Sequence, residues 1–249
     1  MSGFVAFDIE TDGLFEGDVR PNITCVVTMQ MRELRPWSFV MGRARCWHEE
    51  LESGEFLSKQ TLIDLVKYLS GCMQDGLLPV SWNGVGFDFR VLHAHAQEHS
   101  LLAEAAQIRT LALNGVDPMF NFFMHKGFPI GLKRVASGFK LALNKTGSGE
   151  DAIDAWAQGG PQGRLGVVNY CENDVTVLCM VVSAISSRHR ITWITRSQNR
   201  PAEWHPVVRS KCLMKTRHAM CLIPPDNKWM HRNKGPNLPR LRKMTLLDG

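Results

Sequence analysis

"FVAFDIETDG", residues 4–13, is the stretch on which the reading of this chain turns. Val5, Phe7 and Ile9 alternate with Ala6, Asp8 and Glu10. Successive side chains of a strand point to opposite faces. The segment therefore predicts a strand with its apolar set toward a core and two neighbouring carboxylates, Asp8 and Glu10, side by side on the other face. Two adjacent acids repel each other and gain nothing from burial, so the pair needs a counter-charge. An exposed strand face is the plain alternative, but strands disfavour both residue types.

Outward from this strand, the chain alternates strands and helices. Strands are expected at 4–10, 23–31 and 37–45. A helix is expected over 57–75, where Leu62, Leu65, Val66, Leu69 and Met73 form one stripe. "LPVSWNG" reads as a short strand running into a turn at Asn83-Gly84, and helices follow over 88–98 and 100–113. "GVDPM" suggests a fifth strand closed by Pro118, with helices at 119–126 and 131–138. The glycines between 144 and 166, with Pro161, predict loop around a short helix at 151–157. A stronger helix over 167–187 has Val175, Leu178, Cys179, Val182 and Ile185 on one face. This order predicts an α/β layered domain with a mixed sheet.

With 249 residues, 44% of them hydrophobic, the chain can bury a substantial core. No apolar run reads as a membrane span, and no basic segment followed by an apolar block marks a secretory leader. The seven cysteines form no Cys-x-x-Cys pair, which fits reduced packing residues and an intracellular, reducing compartment, cytoplasmic or nuclear. His205, Cys212, His218 and Cys221 match no standard zinc framework. Charge is divided unevenly. Residues 1–187 carry 15 Lys+Arg against 21 Asp+Glu, and residues 188–249 carry 14 against 3. An acidic body with a basic tail points to a polyanionic partner. Within the tail, Trp193, Trp204 and Trp229 fit either base stacking or packing on the body.

Asp8 and Glu10 find companions in two further segments. "SWNGVGFDF" supplies Asp88 where a strand and turn lead into a helix; alone it could be a helix cap. "YCENDV" supplies Tyr170 and Asp174, four apart and so on one helix face. Four converging carboxylates would raise one another's pKa values. Oxygen-only donors select Mg²⁺ or Mn²⁺, and two such ions ~4 Å apart can activate water and stabilise a leaving phosphodiester oxygen.

"FDIET", "NGVGFD" and "YCEND" resemble the three exonuclease motifs of the DEDD superfamily of 3′–5′ exonucleases. The tyrosine points to the DEDDy branch, near the stand-alone relatives of the family B DNA polymerase exonuclease domain. "VDPMFNFFMHKGFPIGLKRVASG" and "WITRSQNRPAEW" are similar to that group as well, so the resemblance spans roughly residues 4–204. It implies an RNase H-like three-layer α/β/α fold with a mixed five-stranded sheet, an exonuclease domain over 1–189 and a basic extension over 190–249. It further implies removal of nucleoside 5′-monophosphates from the 3′ end of single-stranded nucleic acid, DNA before RNA, by two metal ions. Asp8, Glu10 and Asp174 would hold the metal over which the attacking water forms. Asp8 would bridge to a second metal that Asp88 assists, and Tyr170 would orient the water. A non-catalytic nucleic-acid-binding module, an exoribonuclease and a structure-specific endonuclease are the alternatives.

Other residues have two readings each. Asn83 fits a turn or a substrate contact, and Phe87 fits core packing or stacking. Thr11 and Leu14 are candidates to line the path of the terminal nucleotide. Asp117 reads as a turn residue before Pro118, His93, His95 and His99 as a surface helix, and Lys145 as a loop lysine or a phosphate contact.

Overall fold

A computed structural model describes residues 3–15, 20–142, 149–197, 199–206 and 213–226. Lys145, Cys212 and Trp229 lie outside the described residues, so the readings that involve them have no structural counterpart.

Three strands open the chain: β1 (Gly3–Thr11), β2 (Ile23–Arg35) and β3 (Ser38–Trp47). Helix α1 (Lys59–Gln74) leads to β4 (Leu77–Val80), and α2 (Asp88–Glu98), α3 (Leu102–Asn114), α4 (Pro118–Lys126) and α5 (Leu132–Gly138) follow. Then come α6 (Gly149–Gln158), the long α7 (Gly160–Arg188), the hairpin β5 (Ile191–Ile194) and β6 (Pro201–Trp204), and the short α8 (Thr216–Ala219).

The main sheet has the order β3-β2-β1-β4. β1 pairs antiparallel with β2 and parallel with β4, so it is an inner strand and the sheet is mixed. Its alternation sorts the two cores as the sequence predicts. Val5, Phe7 and Ile9 pack under α1, α2 and α3 with Leu65, Phe89 and Ile108. Ala6, on the other face, packs with Cys171, Val175 and Leu178 of α7. Helices cover both faces of the sheet, and the acids on the α7 face, Asp8 and Glu10, are half-buried under α7.

The sheet has four strands, not the expected five. "GVDPM" contributes only isolated bridges at Val116, parallel to Val80 and antiparallel to Lys215. Asp117 immediately caps α4 and Pro118 occupies its first turn. Proline offers no N–H for a ladder but suits a helix start, so no length remains for a strand.

A second departure lies at residues 160–166, where the glycines and Pro161 suggested loop. Pro161 sits in the first turn of α7, and the helix runs on for 29 residues. The glycines serve the α6–α7 junction, because side chains at Gly159 or Gly163 would collide with the carbonyl oxygen of Ala155. By length and composition α7 could cross a membrane; here its apolar residues cover the sheet and the region around α5.

Beyond residue 190 the sequence showed no regular pattern, yet β5 and β6 pair over four residues. Trp193 and Trp204 are buried against Phe122, with ring centroids 5.1 and 5.8 Å away. Their packing reading holds, not base stacking on an open surface.

Candidate active site

The end of β1 brings Asp8 and Glu10 to the face covered by α7. Pairing with β2 slips between Glu10 and Thr11, and such bulges re-aim side chains at strand ends. Asp88 is the first residue of α2 and is buried. Asp174 and Tyr170 stand one turn apart on α7. Ligand atoms of Asp8, Glu10 and the Cys171 thiol all lie within 4.8 Å of one another.

The electrostatics identify which acids face each other. Asp8 is pushed from 3.8 to about 7, first by burial and then by the charge of Asp174. Glu10 is pushed from 4.5 to about 10 by burial, then by Asp8, Cys25, Asp174 and Asp88. Burial, Asp8 and Asp117 lift Asp88 well above the ordinary carboxylate range. The four acids that the sequence singled out therefore act on one another within one site. Among the described residues, no ion pair neutralises Asp8, Glu10 or Asp88. Tyr170 is hydrogen-bonded to Asp174, and burial and that acid hold its phenol protonated, far above 10.

The remaining candidates divide. Asn83 adopts a left-handed φ of 66° and its carbonyl accepts from Phe87 N at 2.9 Å, the turn role. Gly84 is required there, because a Cβ would collide with the Ser81 side chain and lie 3.4 Å from Asp88 Oδ2. Phe87 is half-buried on the core and meets Phe15 edge-on at 6.2 Å. Thr11 is buried and its hydroxyl donates to Gly13 O at 2.6 Å, so it shapes the loop after β1. Leu14 is 71% exposed.

Four residues have structural work that their sequence readings did not contain. Asp117 accepts from Asn83 N at 3.1 Å, Val85 N at 3.1 Å and Phe120 N at 2.9 Å. It thus caps α4 and pins the loop that ends in Asp88. The Asp-Pro pair before an apolar run was a cap signal; its second task, across 34 residues, had none. Cys171 Sγ lies 3.4 Å from the Asp8 carbonyl oxygen, and nothing local in the sequence marks that approach. His93 and His95 are buried rather than on a surface face, and His95 Nε2 meets Pro21 O at 3.0 Å and Arg20 Nη1 at 2.8 Å.

The donor set fits a hard divalent cation: carboxylate oxygens from β1, α2 and α7, with Asp8, Glu10 and Asp88 raised in pKa by burial and by neighbouring acids, and none of these three with a described lysine or arginine partner. The RNase H superfamily profile matches residues 5–186, nearly three quarters of the chain and all four of these acids.

The chain belongs to the RNase H superfamily. The chain is similar to the family B DNA polymerase from the hyperthermophilic archaeon Pyrobaculum calidifontis, at TM-score 0.44 and 16% identity, over 76% of this chain and 26% of that one. It is also similar to E. coli exonuclease I in complex with a dT13 oligonucleotide, at TM-score 0.38 and 11% identity, over 76% of this chain and 42% of that one. This RNase H superfamily chain thus spans about a quarter of the polymerase and under half of the exonuclease. No curated protein sequence matches it.

Proposed function

We propose that this protein is a metal-dependent 3′–5′ exonuclease of the DEDDy type, removing nucleoside 5′-monophosphates from single-stranded ends, with DNA favoured over RNA. One observation carries the reading: Asp8, Glu10, Asp88 and Asp174 act on one another in a covered site beside a tyrosine bonded to one of them. We assign the exonuclease to residues 1–189 and treat 190–249 as a basic extension. Six described cysteines are free, which supports a reducing intracellular compartment.

In this reading Asp8, Glu10 and Asp174 would hold one Mg²⁺ or Mn²⁺, and Asp8 with the assistance of Asp88 would hold a second. The ions, when bound, supply an acidified water and stabilisation of the leaving oxygen. The chain supplies the rest. Asp117 and the glycine turn fix the backbone that presents Asp88. Tyr170 cannot act as the base, since its phenol stays protonated; its hydroxyl, already tied to Asp174, positions the attacking water. Helices on both sheet faces leave Asp8, Glu10 and Asp174 half-buried and Asp88 buried.

The test is degradation of end-labelled single strands. Shortening from the 3′ end with Mg²⁺ or Mn²⁺, abolished by chelator and reduced more than roughly 100-fold in Asp8→Ala and Asp174→Ala, is expected. Cleavage of a 3′-blocked strand would point to an endonuclease. Binding without cleavage would point to a non-catalytic module, and matched DNA and RNA strands settle the sugar preference.

A further inference from the structure

A cavity of about 450 Å³ lies outside the acidic cluster, between the 128–131 turn, α5 and the strand end at 193–197. Phe128, Ile130, Trp193 and Ile194 give it apolar walls, and Arg134 and Arg196 add two positive charges. No acidic residue lines it. The size suits a small ligand. Walls of this kind suit a flat apolar ring, and the charges suit an anion attached to it.

Two contacts link the elements that line the cavity to the proposed active site. Trp82 Nε1 donates to Ile130 O at 3.0 Å, tying the cavity wall to the loop that ends in Asp88. Lys133, between lining residues Gly131 and Arg134, places its ammonium 5.7 Å from the centre of the Tyr170 ring. One turn of α5 therefore borders both places. Arg134 commits an N–H to Ile194 O at 3.1 Å, and a guanidinium has five. Arg196 is exposed and forms no ion pair among the described residues.

We propose that this cavity is a subsite for an upstream nucleotide of a single strand, its base against the half-buried Phe128 and its phosphate on Arg134 and Arg196. The assignment of the strand's 3′ end to the acidic cluster rests on the exonuclease reading; the binding itself does not. Aromatic faces accept any base, and arginines follow the backbone, so the subsite grips strand without selecting sequence.

Two variants test it in the full chain. Arg196→Ala removes an exposed charge. Gly131→Leu adds bulk at a lining position whose φ of −79° and ψ of 146° suit any residue and where a Cβ meets nothing within 4 Å. Anisotropy of a fluorescein-labelled oligothymidylate about ten nucleotides long is measured in chelator, beside thermal melting. Both variants should melt as wild type does and bind more weakly, Arg196→Ala about 5-fold and Gly131→Leu about 10-fold. The slope of log affinity against log salt should fall by about 0.7 in Arg196→Ala. An abasic position that weakens wild-type binding should have no further effect in Gly131→Leu. Wild-type chain that fails to bind, or variants that bind as tightly as wild type with the same salt slope, would overturn the subsite. Since binding is read without metal, a wild-type chain that binds strand but never shortens it refutes only the exonuclease reading.

Discussion

Replacing Asp8 with Asn should stabilise the metal-free protein while destroying its response to metal. Asp8 ionises at 3.8 in an unfolded chain and at about 7 in the fold, because burial and Asp174 oppose its charge. Between those values the unfolded state releases a proton that the folded state keeps. Metal-free stability therefore falls as pH rises from about 4 to about 7, and Asp8's contribution is constant above that. The full shift corresponds to on the order of 4 kcal/mol. Water reaching the half-buried residue lowers the recoverable part, so 2–4 kcal/mol is the expected gain for Asp8→Asn at about pH 8. For a chain of this length each kcal/mol moves the melting temperature by about 2–4 °C, giving roughly 5–15 °C. Melting by circular dichroism in chelator, at about pH 4 and pH 8, reads it directly. The two proteins should melt together at the lower pH and separate at the higher. Added Mn²⁺ should raise wild type and leave Asp8→Asn behind. If Asp8→Asn melts below wild type at about pH 8 in chelator, Asp8 is not an acid held against its charge, and the reasoning fails.

Three other perturbations probe different parts of the account. Tyr170→Phe keeps the ring and every carboxylate but loses the hydroxyl tied to Asp174; turnover should drop about 10- to 100-fold with Mn²⁺ affinity within about twofold, measured by single-turnover cleavage and calorimetry. His95 is buried and held near 4, so the unfolded state binds the extra proton between 6.5 and about 4. That loses about 3 kcal/mol as pH falls through this window, and denaturant titrations should show the loss flattened in His95→Gln. Gly84→Ala drives a methyl into Ser81 beside Asp88 and should destabilise by about 1–3 kcal/mol, with activity falling further than the melting temperature alone would explain.

Much of the candidate site was legible because its chemistry violates local preference. Asp8 and Glu10 in a strand, Asp88 after a turn, and Tyr170 with Asp174 on one helix face stand out against the apolar pattern around them. The two cores follow from the alternation of β1 and the stripe of α1, both periodic over enough residues to be unmistakable. What escaped was set by tertiary context. Val116 has strand-like neighbours, but Asp117 and Pro118 start a helix at once. The glycines at 159–163 look like loop until Ala155 is seen against them. The β5–β6 hairpin is four residues a side, too short for its period to show, and it depends on Trp193 and Trp204 finding Phe122. Asp117 and Cys171 act on residues far away in sequence, and no spacing rule encodes that.

The central claim is that Asp8, Glu10, Asp88 and Asp174 are the ligands of divalent cations. Manganese anomalous diffraction from crystals grown with Mn²⁺ measures this most directly. The account predicts anomalous density among these four carboxylates in wild type and its loss in Asp8→Ala. Crystals that hold Mn²⁺ only elsewhere, or none, with the four groups facing water or cationic side chains, would contradict it.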